Sequence, residues 1–187
     1  MSIHGLNLFQ KTRINISEIL HDYFKSLRNS QGKINKLDRR TFFYFPVFSG
    51  ILMSLLGNVS KDYIMLIVTS MAIISGLLLN MLLLLTSEAK NAPKDHVDLD
   101  TRKQLIKETF IVISYTILIS IGLISFLTIC YFITPSKWDF IIDNYRWIIG
   151  DLKYVFSVIT VSITIHILIN VLLIVRRIHK FFQFEIR

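Results

Sequence analysis

The sequence predicts an all-α polytopic membrane protein, with four transmembrane helices in two antiparallel hairpins and both termini cytosolic. Three observations lead there. The chain has 187 residues, of which 52% are hydrophobic and 18% charged, and its mean hydropathy is +0.53; the charges must therefore be gathered between apolar runs rather than interspersed. The run Tyr154 to Val175 carries no charge between Lys153 and Arg176, and as a helix it crosses about 30 Å of hydrocarbon. Lysine and arginine are unevenly divided between alternate segments. Eight lie before the first apolar run, five in the central connector and four in the tail, against only Lys61, Lys137, Arg146 and Lys153 on the other side. The positive-inside rule then places arm, connector and tail in the cytosol.

Residues 1–40 form a basic cytosolic arm. Met1 to Gln10 lacks the apolar core of a signal peptide, so the apolar run from Thr41 is expected to act as an uncleaved signal anchor. Within the arm, Ile16, Ile19, Leu20, Tyr23, Phe24 and Leu27 follow the spacing of an amphipathic helix whose polar face carries Glu18, Asp22, Lys25 and Arg28. Two placements suit it: on the inner membrane surface, or docked on a cytosolic partner. Lys33, Lys36, Arg39 and Arg40 make a basic collar before the bilayer.

The transmembrane domain is expected over 41–175. Span one covers about 41–57, with Pro46 in its first turns and Gly50 and Ser54 four apart for close helix packing. A short turn leads into span two, about 63–87, so these two spans should pair as a hairpin. Ala72, Gly76 and Asn80 share one face of span two; small residues there admit a neighbouring helix, and the Asn80 amide needs a partner in the apolar medium. Asn91 to Pro93 break the helix. Asp98 or Asp100 caps a new one that passes through Arg102, Lys103 and Lys107 into span three, about 109–134. Pro135 ends it, and Trp138, Tyr145 and Trp147 among acidic residues read as an outer aromatic belt, on a short surface helix. Span four, 154–175, repeats Ser162, His166 and Asn170 every fourth residue on one face. That face is either a polar seam between helices or the lining of a water-filled path at an oligomer axis, and a water-facing His166 would titrate near neutrality. Asn80 and Asn170 fall at similar depth and are expected to bond to each other. Residues 176–187, with Arg176 and Arg177 among phenylalanines, form a tail on the inner leaflet.

Motifs exclude more than they assign. The five histidines are scattered, no HExxH or CxxC pattern occurs, and no glycine-rich phosphate loop is present, so neither metal nor cofactor is expected. Cys130 is the one cysteine and lies in an apolar run, which rules out an intrachain disulfide. No acid lies inside any span to complete a Ser-His-Asp arrangement with His166, and the chain is expected not to be an enzyme. Direct nucleic-acid binding is not expected either.

A four-span chain with inward termini and a basic arm resembles the membrane subunit (KwaA-like) of the Kiwa phage-defence systems of bacteria. That resemblance rests on overall layout and carries no residue roles. It implies a tetrameric inner-membrane sensor of envelope perturbation that works with a cytosolic effector. The alternatives are a four-span immunity protein against a pore-forming bacteriocin, or a small ion channel or transporter.

Overall fold

A computed structural model describes residues 16–27, 36–57, 60–91, 99–133 and 146–185. These residues are almost entirely helical, and no strand occurs among them. Helix α1 spans Ile16–Ser26 and α2 spans Lys36–Arg39. A π-helical turn, Arg40–Tyr44, joins α2 to α3, Phe45–Leu56. Helices α4 (Lys61–Asn91), α5 (Leu99–Ile133) and α6 (Arg146–Glu185) follow.

Three helices are long and apolar enough to cross a membrane, over Asp62–Ala89, Arg102–Cys130 and Tyr154–Phe181. Each stretch of 28 or 29 residues rises a little over 40 Å, so it reaches through the headgroup layers as well as the hydrocarbon. Their outward sides carry Leu66, Ile73, Leu77, Leu83, Leu84 and Leu172, all exposed, as a lipid-facing surface requires. The expected first span differs: α3 has 12 residues and rises only about 18 Å, because the π turn interrupts the regular helix before it.

The packing order also departs from two successive hairpins. Helix α4 lies along α5, α5 along α6, and α6 along α3, while α3 and α4 share no extended contact despite the short turn between them. Side-chain size explains this choice. Pro46, Gly50 and Ser54 form the buried face of α3. A Cβ on Gly50 would collide with Ser162 Oγ and lie 2.8 Å from the Val158 carbonyl oxygen, so only glycine admits α6 this closely. The small-residue face of α4 is not used in the bundle. Ala72, Gly76 and Asn80 are all exposed, and a Cβ added at Gly76 would meet nothing.

Two apolar clusters fill the interior. One joins Ile67, Met71, Leu123, Leu127 and Ile167. The other, towards the α4–α5 connection, joins Leu78, Leu85, Val112, Ile113, Tyr115 and Ile174 with Tyr23 and Leu27. The amphipathic α1 is docked on the chain's own bundle. Its apolar face (Ile19, Leu20, Tyr23, Phe24) packs on the bundle, chiefly on α5, because Tyr23 finds both a stacking ring and a hydrogen-bond acceptor there. Helix α6 is continuous from Arg146 to Glu185, so it takes in the last residues before span four and most of residues 176–187. Helix α5 runs unbroken from Leu99 into the apolar span, as the Asp98–Asp100 region predicts.

Candidate functional site

Where α1, α5, α6 and the π turn converge, four side chains and two backbone carbonyls form a continuous hydrogen-bonded node. The Tyr23 hydroxyl donates to Asn170 Oδ1 at 2.8 Å, and both residues are fully buried. The Asn170 amide donates to the His166 carbonyl at 2.9 Å and lies 3.1 Å from His166 Nε2. The Tyr115 hydroxyl is 3.0 Å from that same Nε2, and His166 Nδ1 is 3.0 Å from the Phe42 carbonyl oxygen. The rings of Tyr23 and Tyr115 stack at 3.6 Å with 7° between their planes, and Phe24 stacks on Phe43 of the π turn at 6.0 Å.

The partners fix the imidazole. A carbonyl oxygen only accepts, so the proton sits on Nδ1 and is donated to Phe42. Nε2 is then the acceptor for the Tyr115 hydroxyl and the Asn170 amide. The Phe42 carbonyl is open for a chemical reason. In an α-helix it would receive the N–H of the residue four positions on, which is Pro46 and has none. A proline, a π turn and a histidine from a distant helix thus satisfy one another, and His166 ties the start of α3 to α6. Burial, then the neighbouring Tyr115, push the Tyr23 phenol well above its ordinary range, against the smaller opposing pull of its bond to Asn170. Tyr23 is accordingly a neutral donor at any physiological pH.

Two turns beyond Asn170, Arg177 Nη1 donates to the Glu108 carbonyl at 2.6 Å and Nη2 lies 3.6 Å from the Glu108 carboxylate. Only 12% of the Arg177 side chain is exposed. Expected on the membrane surface, Arg177 instead turns inward and clamps α6 to α5. Arg176, Lys36, Arg39 and Arg40 are exposed. Lys33, Trp138 and Tyr145 lie outside the described residues, as does the side chain of Trp147.

Of the expected polar face, His166 and Asn170 enter the node, whereas Ser162 faces Gly50 of α3. The Asn80–Asn170 bond does not form. Asn80 is exposed on α4, on the outer side of the bundle, and the Asn170 side chain is taken by Tyr23 and His166. Within the chain this face is a seam, closed by aromatic rings. Tyr23, Tyr115 and the Phe42 carbonyl were missed because tyrosine at a helical apolar position reads as packing. Pro46 four residues after Phe42 was the available signal for an unpaired carbonyl. Buried hydroxyl oxygens of Ser54, Ser75, Thr160 and Ser162 find no hydrogen-bond partner among the described residues. No group of histidine, cysteine or carboxylate able to hold a metal occurs among the described residues.

No family model, no curated protein and no solved structure matches the chain.

Proposed function

We propose that this chain is a non-catalytic integral inner-membrane protein of a bacterial anti-phage defence system. In this reading it oligomerises, senses perturbation of the envelope and recruits or activates a cytosolic effector. The observation that carries it is the latch of α1 into the bundle through Tyr23 and Asn170. A polar-faced helix anchored to the spans by one buried hydrogen bond, the ring stacks of Tyr23 and Phe24 and a narrow apolar face is an element with two states, docked and released. Its equilibrium is biased by anything that shifts α5 against α6, because Tyr23 touches both. Release would free an amphipathic face for an effector in the cytosol.

The rest of the topology belongs to this proposal. Thr41 to Leu56, most of the π turn together with α3, rises about 24 Å and acts as a short fourth span with the basic residues of α2 at its mouth. The charge asymmetry of the sequence places both termini and the α4–α5 connection in the cytosol. The open face of Ala72, Gly76 and Asn80 supports self-association, since a second copy offers the Asn80 amide both a donor and an acceptor. The test is phage plating on cells carrying the locus, with chromosomal Tyr23→Ala and Asn170→Leu variants and membrane levels checked by blotting. Both variants are expected to lose protection, or to become toxic without phage, at unchanged abundance. Full protection by both overturns the role of the latch, and ion flux through proteoliposomes of the protein alone replaces the sensor with a channel.

A further inference from the structure

A groove of about 280 Å³ opens between α4 and α5 at the end of the bundle where these helices connect. Its walls are Leu85, Thr86, Ala89, Ile106 and Phe110, and its rim carries Arg102, Lys103 and Lys107. We infer that this groove holds one anionic phospholipid, its phosphate on Lys103 and Lys107 and the upper part of an acyl chain against Leu85, Ile106 and Phe110.

Depth is the first argument. The apolar stretch of α4 ends at Ala89 and that of α5 begins at Arg102. From Arg102 to Phe110 the helix rises about 12 Å, the distance from the headgroup layer into the upper acyl chains. Cations therefore sit at phosphate level and carbon at chain level, the same polarity gradient as a phospholipid. The walls carry it further. The Thr86 hydroxyl is bonded to the Leu83 carbonyl at 2.7 Å and competes for no ligand. Ile106 and Leu85 are buried, and Phe110 is 37% exposed, which leaves part of its side chain open to a chain. The volume falls just below the roughly 300–1,000 Å³ of sites that enclose a whole small molecule, and suits a partly inserted one.

Charge complementarity is the second argument. Lys103 and Lys107 are one turn apart and both exposed. Arg102 lies 3.6 Å from the Glu88 carboxylate and 5.4 Å from the Phe181 ring centroid, so it braces the rim and leaves the phosphate to the lysines. Glu88 is the acidic residue at this end of α4 among the described residues and pairs with Arg102, while Glu108, about 100° round α5 from Lys107, is engaged by Arg177.

The test is native mass spectrometry of the full chain in mild detergent, titrated with phosphatidylglycerol or with phosphatidylcholine of the same chains. The expected result is one retained phosphatidylglycerol per chain in preference to phosphatidylcholine. A surface-proximal lysine contributes roughly fivefold, so K103Q/K107Q should weaken retention about 25-fold. E88Q, which removes the opposing carboxylate, should strengthen it, and K36Q/R39Q should leave it unchanged. Helix content by circular dichroism confirms that the variants fold. Equal retention of both lipids, an unchanged K103Q/K107Q, or displacement by inorganic phosphate or by chain-free glycerophosphoglycerol at millimolar concentration would each overturn the assignment.

Discussion

Replacing Tyr23 with phenylalanine removes one oxygen and leaves the rest of the docking surface in place. The stack on Tyr115 at 3.6 Å and the contact with Phe24 are retained, so the perturbation isolates the hydroxyl. What it leaves behind is the Asn170 Oδ1, fully buried and deprived of the donor at 2.8 Å. Stranding a buried acceptor costs about 1–3 kcal/mol, because the enclosed atom finds no water in exchange. Interhelical hydrogen bonds in membranes average about 0.6 kcal/mol, and the reason is that the separated helices find other partners. Asn170 is walled in by protein rings rather than by lipid, so the larger range applies. The docked-to-released ratio of α1 should then fall by roughly 5- to 150-fold, with about threefold as the floor set by the membrane average. Hydrogen exchange of residues 16–26 in lipid nanodiscs reads this ratio directly, since release exposes every amide of that helix. Pairing Tyr23→Phe with Asn170→Leu closes a double-mutant cycle in which the two effects should be strongly non-additive. Unchanged exchange in Tyr23→Phe, or strict additivity in the cycle, refutes the latch.

Three further outcomes follow from the same geometry. Gly50→Ala forces a methyl against Ser162 Oγ and the Val158 carbonyl, so thermal unfolding in detergent should show a loss of about 1–3 kcal/mol; adding Ser162→Ala should recover part of it, since that hydroxyl has no partner among the described residues. Arg177→Met removes a mostly buried cation and its two contacts to Glu108 at the α5–α6 contact, leaving that carboxylate its bond from Gln104, and should destabilise by about 1–3 kcal/mol, whereas Arg176→Met, on the exposed side, should stay within about 0.5 kcal/mol in the same melts. Because the folded phenol of Tyr23 titrates above its unfolded value near 10, the latch is fully present below about pH 10 and is lost only as alkali passes beyond that, so exchange protection of α1 should be flat from pH 6 to 9 once intrinsic exchange rates are divided out. A protection that decays within that window contradicts a neutral buried donor.

Much of this protein was legible in its residues. Uncharged runs of bilayer length determined that it is helical and where its three long helices lie, since a helix alone satisfies its backbone hydrogen bonds within one such run, and these runs are about twice the length of a barrel strand. The spacing of Ile16 to Leu27 determined a helix, and the spacing of His166 and Asn170 determined a shared polar face. What the sequence left open was every choice of partner. Gly50 and the Ala72–Gly76–Asn80 stripe read alike in one dimension, yet one is pressed against α6 and the other faces outward. Arg177 and Arg176 are adjacent and chemically identical, yet one is buried on Glu108. Asn170 lies 147 residues from the tyrosine it bonds. Periodicity says which residues share a face of one helix; which other helix that face meets depends on small residues, proline-orphaned carbonyls and ring stacks acting together, and only the folded chain brings those into contact.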